Sequence, residues 1–181
     1  MNAQLETERL ILLPFAAEHA GALHELWNEP GVRRFLFDDQ VVPRARVDEA
    51  IASSRASFDQ RGFGLWAAFP RQTGERSGAL DALLGFTGFH EFHEPPVLEL
   101  LFGVHPDHWG RGLASELARR MIGHAFDELG FERVVASTDA PNSASVRVME
   151  KSGLRFAARS ERAGVDTITY ALDARDRPRA G

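Results

Sequence analysis

The chain reads as one mixed α/β domain. Three observations predict this class. Apolar runs of strand length alternate with segments of helical periodicity, glycine and proline punctuate the changes between them, and 181 residues suffice for one core. No fixed-period repeat, low-complexity block or linker divides the chain. Residues 1–173 are assigned to the domain. Residues 174–181, with three Arg and one Pro, are expected to form a frayed tail rather than a nucleic-acid arm.

Leu10 to Leu13 is a short apolar run ended by Pro14, the pattern of a buried strand. Ala20, Leu23 and Trp27 then recur at helical spacing until Pro30-Gly31 stops that helix. His19, His24 and Trp27 belong to its surface or core, or else line a substrate cleft. Pro43 opens a second helix that carries Val47, Ile51 and Phe58 on one face and ends at Gly62. Residues 64–69 and 83–89 read as two antiparallel strands. Between them, Pro, Thr, Gly, Ser and charged residues over 70–79 predict a long exposed connection. His90-Glu91-Phe92-His93-Glu94 invites a metal reading, yet on a strand His90 and His93 fall on opposite faces. No third clustered ligand with recognisable spacing follows, so no metal is expected.

The run Leu98 to Val104 leads through Pro106 into Gly110-Arg111-Gly112. A stripe of Leu113, Leu117, Met121, Ala125 and Leu129 follows, stopped by Gly130. Such a strand, glycine turn and helix point the unpaired N–H groups of the first helical turn, and the positive end of its dipole, at whatever occupies the turn. Glycines at 110 and 112 keep side chains away from an anion and permit positive φ. Phe131 to Thr138 reads as another strand, and Asp139-Ala140-Pro141-Asn142 as a turn with Asn142 at an N-cap. Val146 and Met149 supply the buried side of the helix that follows, Gly153 its stop, and residues 154–160 and 167–172 the last strands.

Composition narrows the function. The net charge of −5 gives no basic excess for nucleic acid and suits a cationic partner such as an amine. Zero cysteines exclude disulfides, thiolate zinc sites and an acyl-cysteine intermediate. No apolar segment has the length of a signal core or a membrane span, which predicts a cytoplasmic protein without a membrane partner. Neither a Walker Lys-Ser/Thr nor a third fingerprint glycine accompanies the turn, which argues against a nucleoside-triphosphate or dinucleotide enzyme.

Three motifs carry a family resemblance. Asp107-His108-Trp109-Gly110-Arg111-Gly112 is similar to the Gln/Arg-X-X-Gly-X-Gly/Ala signature of the GNAT superfamily of acyl-CoA-dependent N-acetyltransferases, with Asp107 departing at the first position. Trp109 to Ala114, the opening Thr7-Glu8-Arg9-Leu10 to Phe15, and Asn142-X-X-Ser145 through Gly153-Leu154 resemble the branch that includes ribosomal-protein N-terminal acetyltransferases. The resemblance implies a mostly antiparallel sheet splayed after its fourth strand, about four flanking helices, and an acceptor wall made by the first two. It implies acetyl-CoA as co-substrate, contacted by Phe102, Gly103, Val104, Trp109, Gly110, Arg111, Gly112, Leu113, Ala114, Asn142 and Ser145. A backbone N–H between Phe102 and Val104 would polarise the thioester carbonyl, by resemblance alone.

Glu99 falls where this branch often has the glutamate that accepts the amine proton; otherwise it is a strand-end charge facing solvent. Ser145 stands where it would protonate the leaving thiolate, a task many relatives give to a tyrosine. The single tyrosine here, Tyr170, is far from that position. Asn142 and Ser145 also fit a plain cap and a first-turn hydroxyl. The implied reaction is direct acetyl transfer to a primary amine in a ternary complex, first a protein N-terminal α-amine. Small amines such as antibiotics and polyamines, or a non-catalytic acyl-CoA-binding module, are the alternatives. The resemblance also admits a homodimer.

Overall fold

Alternate residues of each central strand enter two different cores, so the sheet they build is covered on both faces. The computed structural model describes residues 4–71, 83–92, 97–162 and 164–177. Its strands are β1 (Leu5–Glu6), β2 (Leu10–Pro14), β3 (Leu65–Pro70), β4 (Gly85–Phe92), β5 (Val97–Val104), β6 (Arg133–Asp139), β7 (Arg155–Arg162) and β8 (Val165–Asp173). They form one sheet in the order β1-β2-β3-β4-β5-β6-β8-β7, every pair antiparallel except β5 with β6. Trp66 and Ala68 of β3 face one core; Ala67 and Phe69 face the other.

The helices are α1 (Ala20–Asn28), α2 (Pro30–Leu36), α3 (Arg44–Arg61), α4 (Leu113–Gly123) and α5 (Ser143–Lys151). Leu113, Leu117 and Met121 of α4 join Met149 of α5 in the core with Leu10, Leu12 and Leu100. Leu23, Leu26 and Trp27 of α1 and Val47 and Ile51 of α3 close the opposite face over Phe15 and Phe86. The mixed, mostly antiparallel architecture is the one expected.

Several elements differ from expectation. Pro30 ends α1, yet it also starts α2, because the missing N–H of proline costs nothing at a first helical position. The wall over the cleft therefore has three helices before β3, not two. The stripe from Leu113 does not continue as α-helix to Leu129: after Gly123 the backbone widens into a π-helical turn, His124–Glu128. The first segment of the expected tail is tied down. Ala174–Asp176 forms a 3-10 turn, and Arg177 pairs with Asp127 at 2.6 Å, while residues 178–181 lie outside the described residues. The expected exposed connection over 70–79 begins with Pro70 inside β3 and otherwise falls, from residue 72 on, outside them too.

Strands β5 and β6 share one register pair, Glu99 with Val135, whereas β4 and β5 are paired along eight positions. The sheet thus opens on the side of Leu100 to Val104, as the resemblance implied. The extra strand β1 makes the splayed strand the fifth rather than the fourth.

Burial pushes the imidazoles of His19 and His124 below their ordinary pKa, for His124 against the raising influence of Glu128. A depressed folded-state pKa means that the unfolded chain takes up protons first as pH falls. The stability of the neutral rings is thus present above about pH 6.5 and lost below it. We expect the Tm to fall between about pH 7 and pH 5; a flat Tm over that window contradicts the burial argument.

Candidate active site

The junction between β5 and α4 adopts the backbone that its glycines were expected to permit. Gly110 and Gly112 have φ of 76° and 78°, a region costly for a residue with a Cβ. A Cβ built on Gly110 meets nothing within 4 Å, so the demand for glycine there comes from conformation and leaves open space in front of the turn. Gly112 is the N-cap of α4 and no side chain caps the helix, while buried Leu113 anchors its start. First-turn N–H groups therefore face the exposed turn, a cradle that fits a diphosphate. Arg111 is exposed beside it, with His108 Nδ1 3.4 Å from its guanidinium.

Trp109 is 54% exposed. Its indole N–H donates to the Val104 carbonyl at 2.6 Å, and its ring lies so close to Gly31 of α2 that a Cβ there would come within 2.5 Å. The residue staples the turn to the end of β5 and to α2.

Backbone alternation sorts the three candidate donors on β5. The His105 N–H donates to Leu84 O at 2.8 Å, on the β4 side. Groups two residues apart point the same way, so the Gly103 N–H also faces β4, and those of Phe102 and Val104 face the opening toward β6. The Val104 carbonyl, bonded to Trp109 rather than to β4, agrees. Gly103 is a packing residue: a Cβ there would stand 2.4 Å from the Phe86 ring.

Asn142 caps α5, its Oδ1 accepting from the Ser145 N–H at 3.2 Å. Its Nδ2 donates to Ser145 Oγ and to Thr138 Oγ1, both at 3.0 Å, and Thr138 lines the cleft. Tyr170 is committed elsewhere. Its hydroxyl donates to Glu150 at 3.1 Å, and burial together with that carboxylate pushes its pKa up.

A cleft of about 870 Å³ lies between α2 and α3 on one side and β4, β5 and β6 on the other. The glycine turn is not part of its lining. Glu99 is. Residues 98, 100, 102 and 104 pack toward α4, so Glu99 and Leu101 face the α1–α3 side. At 5% exposure Glu99 is no solvent-facing strand end. Its register partner on β4 is His90, whose Nε2 lies 3.0 Å from Glu99 Oε2. By sequence His90 stands out only as a candidate metal ligand. His93 and Glu94 lie outside the described residues, among which no group of three or more His, Asp or Glu side chains can hold a metal.

Three more carboxylates line the cleft: Asp38 beside α2, Glu49 of α3, which pairs with Arg46, and Asp139 at the end of β6. Burial, and then the charge of Asp38, push the Asp139 pKa up. Of the three α1-region candidates only Trp27 lines the cleft. His19 Nδ1 accepts from the Ala16 N–H at 3.1 Å, and His24 Nε2 is bonded to Val42 O at 2.9 Å.

Residues 9–155 match a family model described as an acetyltransferase (GNAT) domain. The chain is 33% identical to the uncharacterised protein YkkB of Bacillus subtilis, over 86% of this chain and 88% of that one. It is also 33% identical to the FsC-acetyl coenzyme A-N(2)-transacetylase of Aspergillus fumigatus, over 83% of this chain and 64% of that one. Among solved structures, one described as RimL, a ribosomal L7/L12 alpha-N-protein acetyltransferase in complex with coenzyme A, matches with a TM-score of 0.77 at 18% identity. That match covers 94% of this chain and 97% of the other. The relatives' names differ in acceptor, so they indicate the family and not the ribosomal-protein branch alone. No helix among the described residues is long and apolar enough to cross a membrane. Glycine turn, opened sheet and matched family model converge: the chain belongs to the GNAT acetyltransferase family and is an acetyl-CoA-dependent acyltransferase.

Proposed function

We propose that this acyltransferase acetylates a protein N-terminal α-amine by direct attack in a ternary complex. The observation that carries the reading is Glu99, a buried carboxylate held by His90 in the cleft, at the one pair where β5 still bridges β6. Bound acetyl-CoA would supply an activated acyl group on a thiolate leaving group.

The chain's own residues divide the remaining work. Amides from Gly110 to Ala114 would hold the diphosphate, with the Arg111 guanidinium beside them. The Phe102 and Val104 N–H groups, directed into the opening, are disposed to stabilise charge developing on a carbonyl oxygen there. Glu99 would accept the proton of the incoming ammonium. An α-amine, with a pKa of about 8 against about 10.4 for a lysine, asks less of such a base. Ser145 Oγ accepts a hydrogen bond from Asn142, which leaves its own O–H to donate to a departing thiolate and strengthens it as a donor.

Likeness to a protein described as an alpha-N-protein acetyltransferase supports the α-amine, and the cleft has the volume for a chain end. A second reading, a small polyamine acceptor, draws support from Asp38 and Asp139, two like charges that a second cation would relieve. Thiol release from acetyl-CoA separates the two. A peptide with a free α-amine should support release, and the same peptide with that amine blocked but a lysine free should not. Release with spermidine and with neither peptide would transfer the assignment to the second reading. Coenzyme A binding with no release from any acceptor would favour a non-catalytic module.

A further inference from the structure

We propose that Arg9, from the connection between β1 and β2, is a positioning residue for the diphosphate turn. Its NH1 donates to the Arg111 carbonyl at 2.8 Å, across more than a hundred residues of chain. Its Nε and NH2 both meet Glu116 Oε2 at 2.6 Å, and its backbone N–H reaches Glu116 Oε1 at 2.9 Å. The guanidinium also lies 3.7 Å from where a Cβ of Gly112 would stand.

Two consequences follow from that geometry. A glycine on either side of Arg111 leaves the turn without the restraint of a Cβ, and Arg9 supplies a restraint from outside. In a trans peptide the C=O and the following N–H point in opposite directions. Holding the Arg111 carbonyl therefore directs the Gly112 N–H away from Arg9, as a donor to whatever the turn binds. The second consequence is electrostatic. Glu116 lies one turn into α4, where its negative charge would oppose an anion at the helix start, and Arg9 neutralises it in place. The pair is half exposed on the Arg9 side, at 45%, so its contribution to overall stability is small. Its effect falls on the shape and charge of the turn.

This inference rests on the diphosphate reading of the turn, and the test separates the two. Arg9→Gln is assayed with acetyl-CoA and with S-acetylpantetheine, which carries the same thioester without a diphosphate. We expect kcat/KM for acetyl-CoA to fall about tenfold or more, mainly through KM, and that for S-acetylpantetheine to stay within about twofold. Equal losses on both substrates, or none on acetyl-CoA, overturn the role of Arg9. Should Arg9→Gln fail to fold, Arg9→Lys decides. A lysine keeps the charge but cannot reach Glu116 and Arg111 together, so the same selective loss is expected. Unmodified protein that prefers acetyl-CoA no more than S-acetylpantetheine overturns the diphosphate reading itself, and Arg9's role with it.

Discussion

Glu99→Gln will lower the turnover of acetyl transfer by about 10²- to 10⁴-fold, the range that a positioned general base contributes. Glutamine fills the same volume and still offers an oxygen to His90 Nε2, so the strand pair β4–β5 keeps its register while the proton acceptor is lost. Coenzyme A affinity should stay within about twofold, because the residue lines the cleft beneath α2 and α3 and not the glycine turn. Folding should not suffer, since a buried carboxylate is replaced by a neutral group of equal size. Single-turnover rates with saturating acetyl-CoA, beside calorimetric titration with coenzyme A, check both halves. A variant retaining a third or more of the rate would remove Glu99 from the proton path.

Gly110→Val will weaken coenzyme A binding by about a hundredfold. Valine at a φ of 76° is a steric outlier costing roughly 1–3 kcal/mol, and its branched Cβ would project into the open space before the helix start. Gly130→Val is the matched control. Gly130 has a φ of 71°, and nothing lies within 4 Å of its would-be Cβ, but it follows the π-helical turn at the other end of that helical segment. Both variants should lose similar stability in thermal melts, and only Gly110→Val should lose affinity. Equal affinities in the two would show that the turn does not receive the diphosphate.

Features encoded within a few residues are legible in the sequence. The Asn142 cap, the positive φ of Gly110 and Gly112, and the burial of Leu113, Leu117 and Met121 all follow from local rules. Pro30 misled because one residue type satisfies two local rules, stopping a helix and starting another. Partners brought together by pairing were harder to see. His90 meets Glu99 only through the hairpin register, although counting outward from the Phe92–Val97 pair places them opposite each other. By sequence Arg9 belongs to an opening motif, and nothing local ties it to a turn a hundred residues on. The orientation of the Phe102 and Val104 amides leaves no trace in side-chain identity and emerged only from the His105 hydrogen bond.

The most direct test of the account is calorimetric titration of the unmodified protein with coenzyme A, repeated with pantetheine. The account predicts saturable binding of coenzyme A with one site per chain, and binding of pantetheine weaker by at least about tenfold because the diphosphate is missing. No heat and no thermal shift at millimolar coenzyme A would contradict it.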